Sequence, residues 1–471
     1  MTAFDGGSFR DRSARVLVRD DGVFRLLTAE GLDAWNRAAR EPFFNRLMSE
    51  GRLVETRQLS RDEVEQLDLP EDPAAVLRHE RIPFVSYPYE WSFEMLRQAA
   101  LLHLKILTDA LNSGLILKDA SPYNVQFRGT RPVFIDIGSF VALTPGEPWV
   151  AYRQFCELML FPLLLQAYRH VDFQPVLRGE LEGISARQFL RWLSWRDLLR
   201  PGVFSHGWLQ ATLERHARGV STNTVRDLQA SGFSTELIRR NLAKLTRLVE
   251  RLDWKPEGTQ WTNYRTDLPH VVQDGEAKSA FVRSVCDRRR WSLVWDLGGN
   301  DGQFSRIAAE TADTVVAMDR DHGCVERLYR GLHAEHSTTI LPLCVNLANP
   351  SPAMGWRGVE RKRLEERGRP DLVLCLGLIH HLVIGHNIPL TEVTDWLAGL
   401  GGEVVIEFPS RRDAMVRALL RNKRDQYSDY SLGQLELALS RSFVIRDRAT
   451  LPSAERTLLH AVPKTPRPGV P

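Results

Sequence analysis

The stretch Val294-Trp295-Asp296-Leu297-Gly298-Gly299-Asn300-Asp301-Gly302-Gln303-Phe304 constrains this chain more than any other. An apolar run from Leu293 to Leu297, broken only by Asp296, stops at a glycine-rich turn that leads into a helical pattern. A strand that is apolar along its length is one buried on both faces, as in a parallel sheet. Glycines at its end let the backbone approach a ligand where a Cβ would obstruct it. A second run, Thr314 to Met318, ends in Asp319, the acid about 20 positions on that such βαβ units set against a ribose. Together these features predict an α/β domain with a site for a nucleotide-type cofactor.

The glycine spacing narrows the cofactor. A dinucleotide site uses Gly-x-Gly-x-x-Gly so that a helix N-terminus receives the pyrophosphate, and Asp-Leu-Gly-Gly-Asn-Asp-Gly does not fit it. The segment resembles motif I of the class I S-adenosylmethionine-dependent methyltransferases. That resemblance implies a Rossmann-like domain with a seven-stranded sheet over residues 262–462 and S-adenosyl-L-methionine as cofactor. It implies a pocket lined by Asp296, Gly298, Gly299, Asn300 and Gly302, with Asp319 on the ribose hydroxyls. Asn346-Leu347 falls where relatives face the adenine, and Tyr264 and Lys278 where relatives close the site. The strand Asp371 to Gly377, with Leu376 near its end, runs into Leu378-Ile379-His380-His381-Leu382 and resembles motif IV, beside the transferred methyl. Glu403 to Phe408, Phe443 to Ile445 and Leu458 to Val462 supply late strands.

Asn349-Pro350-Ser351-Pro352 is similar to the Asn-Pro-Pro-aromatic motif of amino methyltransferases, but it precedes the motif IV strand rather than ending it. A proline-stiffened loop is the expected role. With Gly355-Trp356 it resembles the Asn-Pro-Ser-Pro-x-x-Gly-Trp stretch of a bacterial subgroup that includes nodulation-type methyltransferases.

Methyl transfer to a hydroxyl requires the acceptor to be positioned and its proton removed. His380 and His381 are the titratable pair at the motif IV strand end and candidates for the base, the alternative being a packing and turn element; Glu407, at the end of the next strand, is a lesser candidate, the alternative being a loop cap or a buried ion pair. No metal is expected in this domain.

At 471 residues the chain exceeds what one core usually serves, so two domains are expected. A formal net charge of +3, without a Lys/Arg block, leaves no electrostatic footprint of a nucleic-acid binder. Cys156, Cys286, Cys324, Cys344 and Cys375 have no paired spacing and read as buried free thiols; with no signal peptide at Met-Thr-Ala-Phe, a reducing cytoplasm is expected. The longest apolar run, Leu158 to Leu165, is far short of the roughly 20 residues that span a bilayer, so no membrane is expected. It reads as a core helix with Pro162 near its start or at a kink.

The N-terminal half carries a second resemblance. Leu115 to Phe127, containing Lys118-Asp119 and Asn124, and then Pro132-Val133-Phe134-Ile135-Asp136-Ile137-Gly138 follow the pattern of a kinase catalytic loop and its metal-binding Asp-Phe-Gly. The resemblance implies an α+β kinase-like domain over 1–253, with a reduced small lobe (about 1–88) and a helical large lobe (about 89–253). It places a hydroxyl-proton acceptor at Asp119 and weak magnesium binding at Asn124 and Asp136. Ala14 to Leu27 is expected as a hairpin turned by Asp20-Asp21-Gly22, Gly31 to Ser49 as one helix, Glu80 to Pro88 as a strand leading to a hinge, and Phe93 to Leu111 as a long helix. No glycine loop and no strand lysine stand out, so a Mg-nucleotide is not expected there and the lobe reads as degenerate. Residues 254–261 are the expected linker and 463–471 a disordered tail.

The combined expectation is a cytoplasmic methyltransferase acting through oxygen or nitrogen on a small molecule, glycan or secondary metabolite, with a kinase-like accessory domain. A signalling or substrate-gripping module with the methyltransferase fold as ligand sensor is one alternative, and a macromolecule methyltransferase another. The oligomeric state is not legible.

Overall fold

The structure is a computed structural model that describes residues 3–208, 235–256, 269–421, 423, 424 and 426–465, with only the backbone at 3 and 269–272. Tyr264, most of the linker and most of the tail lie outside the described residues.

The N-terminal half opens with an antiparallel sheet built from β1 (Ala3–Phe4), β2 (Ala14–Arg19), β3 (Gly22–Leu27), β4 (Thr56–Gln58) and β5 (Ala75–His79), in the order β1-β2-β3-β5-β4. Asp20-Asp21 turns the β2–β3 hairpin, whose register pairs Arg19 with Gly22. Two helices, Ala29–Ala39 and Pro42–Ser49, stand where one was expected. A proline disfavours α geometry in the residue before it, and Glu41 is extended at ψ 131°. The expected strand at Glu80 to Pro88 is also corrected: β5 ends at His79, and the following segment, with Pro83 and Pro88 and a short turn at Pro88–Glu90, offers few ladder donors.

The long helix Phe93–Asn112 is the axis of the rest of this half, and most of its residues are buried because apolar side chains recur all round it. Around it lie the short strands β6 (Leu115–Leu117) and β9 (Phe140–Ala142), paired with each other, and the hairpin of β7 (Val125–Arg128) and β8 (Arg131–Phe134). The apolar run at Leu158 is helical, with a π-helical turn at Cys156–Leu160 and Pro162 in the first turn of Phe161–Arg169.

The C-terminal half is a seven-stranded sheet of β10 (Trp291–Leu297), β11 (Ala312–Asp319), β12 (Ile340–Cys344), β13 (Leu372–Cys375), β14 (Glu403–Pro409), β15 (Phe443–Thr450) and β16 (Arg456–Pro463). Its order is β12-β11-β10-β13-β14-β16-β15, parallel except where β16 runs against β14 and β15. The chain therefore leaves β10 toward one edge, then returns to β13 on the other side. Ligands in open α/β sheets bind at such a reversal, beyond the carboxyl ends of the strands.

The halves share one apolar core that runs without interruption from Leu47 and Leu104 to Trp295 and Leu439. Phe84 meets Trp295 edge-on at 5.9 Å, and Tyr329 meets Phe127 at 6.2 Å while donating its hydroxyl to the Thr130 carbonyl at 2.8 Å. Trp254, in the connecting segment, is buried against Phe93. An ion pair between Glu90 and Arg367 is sealed in the seam, both side chains at most 1% exposed and joined by two bonds of 2.6 Å. All five cysteines are buried free thiols, and no helix among the described residues is long and apolar enough to cross a membrane.

Candidate functional site

At the reversal point two glycine turns face each other. Gly298 follows β10 with φ +81°, Gly302 has φ +79°, and Gly377 follows β13 with φ +61°. These are left-handed conformations that side chains other than glycine rarely adopt. A Cβ on Gly298 would stand 3.8 Å from the Leu376 carbonyl, so the first turn and the end of β13 lie side by side. The turn is pinned from below, since the amides of Gly298 and Gly299 both donate to the Met318 carbonyl, at 2.8 and 3.0 Å.

Asp319 forms the lip. Its Oδ2 accepts from the Asn300 amide at 3.0 Å and its Oδ1 from the Asp321 amide at 2.8 Å, while the side chain stays partly exposed. Burial raises its pKa, against the pull of those amides. Each carboxylate oxygen retains acceptor capacity for a ligand hydroxyl. The Val345 amide donates to the Asp319 carbonyl at 2.8 Å, bringing exposed Asn346 and half-buried Leu347 to the same rim.

Asp296 is placed differently. It is buried beneath the turn, accepts from the Ser305 hydroxyl at 2.6 Å, and is pushed by burial up to about 6. Its Oδ2 lies against Gly299 and so braces the glycine turn. Lys278 and Glu407 come together, Nζ to Oε2 at 2.6 Å, with Arg456 on the other carboxylate oxygen at 3.2 Å. Burial alone would raise the Glu407 carboxyl, but the two cations hold it down at about 2, so it stays ionised and ill suited to take a proton.

His380 is buried and His381 half-buried, their rings 4.1 Å apart. Burial lowers both, helped at His380 by His381 and Arg456, which places His381 at about 4 and His380 well below the usual range. Both are neutral imidazoles at physiological pH, and protonating either would add a cation beside existing ones.

The kinase-like residues also converge. Asn124 donates through Nδ2 to Asp136 Oδ2 at 3.4 Å, and Asp119 is raised by burial and by the Asp136 charge. The sequence reading missed Arg25 on β3, whose guanidinium donates to Asp136 Oδ1 at 3.0 Å and lies 3.8 Å from Asp11. A single charge inside an apolar strand was the available signal, because such a residue is rarely buried without a partner. Glycines are present too, at Gly6-Gly7 between β1 and β2 rather than at the Asp-Asp hairpin. They dock on the C-terminal half: a Cβ on Gly6 would lie 2.1 Å from the Val359 carbonyl, and Arg10 grips Glu360 through two bonds of 2.9 and 2.7 Å. A magnesium ion does not fit Asn124 and Asp136 as they stand, since Arg25 already supplies the counter-charge to Asp136.

Fold and site define a doubly wound α/β protein with glycine turns at its switch point, fused to an α+β half that contributes to the same core. The chain is 33% identical over 455 residues to the nodulation protein NoeA of Rhizobium meliloti (strain 1021), a match covering 96% of this chain and 94% of that protein, and it therefore belongs to the NoeA family. No family model matches the chain. Among solved structures it is similar to the N-methyltransferase NodS from Bradyrhizobium japonicum WM9 in complex with S-adenosyl-L-homocysteine, at 13% identity and a TM-score of 0.33 over 44% of this chain and 94% of that one. It is also similar to magnesium protoporphyrin IX methyltransferase from Synechocystis PCC 6803 with bound S-adenosyl-L-homocysteine, at 14% identity and a TM-score of 0.30 over 44% and 90% of the two chains. At those scores the likeness transfers neither residue roles nor activity.

Proposed function

We propose that this chain is an S-adenosylmethionine-dependent methyltransferase acting on an oxygen or nitrogen of a small molecule, glycan or secondary metabolite. The observation that carries this reading is the pair of glycine turns at the reversal of the sheet, Gly298 beside Leu376, with the Asp319 carboxylate bonded to the Asn300 amide next to them. The residues fit the cofactor: a Cβ-free turn leaves room for its amino-acid end, a carboxylate can accept from its ribose hydroxyls, and an apolar-polar step at Asn346-Leu347 can face its base. When bound, the cofactor supplies an electrophilic methyl group. The protein's own part is to hold the acceptor in line and exclude water. Calorimetric titration of the full-length chain with S-adenosyl-L-methionine, followed by mass spectrometry of products from a labelled methyl donor and cell extract, tests the reading; absence of binding would refute it.

His380 and His381 are assigned to orient the acceptor rather than to store its proton. A general base works best with a pKa near the operating pH, and burial has moved both away from it. Replacing His381 by Gln should then leave cofactor affinity intact and slow the chemical step less than 10-fold, whereas loss of a true base costs about 10²-fold to 10⁴-fold. Single-turnover rates distinguish the two.

The N-terminal half is proposed as a kinase-like accessory lobe without phosphoryl transfer. Arg25 neutralises Asp136, and the Gly6-Gly7 turn between β1 and β2 is docked on Val359 and Glu360. Asp136→Asn should therefore leave methyl transfer largely unchanged. A nucleotide-dependent phosphoproduct that disappears in Asp119→Asn would overturn this assignment and make the chain bifunctional.

A further inference from the structure

The rim of the crevice is held from the other half of the molecule. The helix Gln174–Gly179 belongs to the N-terminal half, and it is anchored there: Phe173 and Leu177 are buried, and Gln174 donates to the Trp91 carbonyl at 2.8 Å. From this base Arg178 reaches across to the loop after β12. Its guanidinium donates to the Asn349 carbonyl at 3.0 Å, to Asn349 Oδ1 at 3.3 Å and to the Pro350 carbonyl at 2.8 Å. One residue on, the Ser351 hydroxyl donates to Glu90 at 2.5 Å, in the same turn that holds Arg367. Three residues after Asp319, His322 at the start of the next helix lies 3.1 Å from Asp172.

The helix start after Asp319 and the loop after β12 are thus both met by the segment 172–178. An exposed loop three residues past Asn346 would otherwise sample many conformations, and ordering a residue's backbone costs about 1–2 kcal/mol. A guanidinium that satisfies two successive carbonyls fixes that backbone, and its planar fork suits the task better than an ammonium would.

We propose that Arg178 is a positioning residue for the cofactor, setting from the N-terminal half the conformation of the loop that meets the adenosine end. This rests on the methyltransferase reading above. It gives the accessory lobe a specific role: the crevice is complete only when both halves are present.

The test is calorimetry on the full-length chain with two probes, S-adenosyl-L-homocysteine and 5′-methylthioadenosine, the second lacking the amino-acid end. Arg178→Ala should weaken both by the same factor, about 10-fold, at a temperature well below its melting midpoint. Arg178→Lys, which can reach a carbonyl with one ammonium, should recover part of the loss. Unchanged affinity for both probes in a folded Arg178→Ala chain would overturn the proposal, as would a loss confined to S-adenosyl-L-homocysteine. If the wild-type chain binds neither probe, the methyltransferase reading falls and this inference with it. Should Arg178→Ala fail to fold, Arg178→Lys and Asp172→Asn carry the same comparison, and wild-type affinity in both would count against it.

Discussion

A full-length chain carrying Glu90→Ala should lose about 3–5 kcal/mol of stability, the cost of leaving one member of a buried ion pair without its partner. Arg367 would then be a guanidinium with no exposure, facing Phe84 and Tyr87 at 5.2 and 4.8 Å, its carboxylate gone. Ser351 would lose its acceptor in the same substitution. Urea unfolding followed by tryptophan fluorescence measures the effect, with Trp91 and Trp295 near the seam as reporters. The double variant Glu90→Leu with Arg367→Met should recover most of the loss, because apolar replacement of a buried pair is often neutral or better. A midpoint unmoved in the single variant would mean that the seam admits water. The same geometry bears on a C-terminal fragment starting near 262: it would expose Trp295, Tyr329 and Arg367 together, so the C-terminal half is not expected to stand alone.

Asp319→Ala should reduce affinity for S-adenosyl-L-methionine by about 10-fold to 100-fold, corresponding to roughly 1.5–3 kcal/mol for a charge-assisted hydrogen bond. Two losses combine. The carboxylate is the acceptor offered to a ribose, and it also ties down the amide of Asn300, which sits at φ +46°, and the amide of Asp321. Asp319→Asn keeps a carbonyl oxygen for one of these bonds and should lie between the wild type and Asp319→Ala. Calorimetry decides the matter, and equal affinity in the folded alanine variant would remove Asp319 from the site.

The parts of this architecture that could be read from sequence are those written in local pattern. The apolar runs of β10, β11 and β13, the glycines that need positive φ and the acid ending β11 each declare themselves within a few residues. What could not be read depends on distance along the chain. Arg25 acquires meaning only through Asp136, 111 positions away, and Lys278 and Glu407, proposed separately, turn out to neutralise each other across 129 positions. Periodicity carries no trace of such pairings. The helix break at Pro42 was legible in principle, since proline and its predecessor speak locally; the amphipathic pattern on both sides masked it. The histidines illustrate a different limit. Their position was plain, but their basicity depends on burial and on Arg456, which only the assembled fold supplies.

The sealed pair at the seam also dictates an order of events at the ribosome. Glu90 is synthesised 277 positions ahead of Arg367, and at about 5–20 residues per second the delay is about 14–55 s. Throughout that interval the acid lacks its counter-ion, so Tyr87 and Tyr89 beside it cannot close into their final arrangement. The N-terminal half emerges first, but its seam can close only once the turn at Leu364–Glu366, whose last residue is followed by Arg367, has been made.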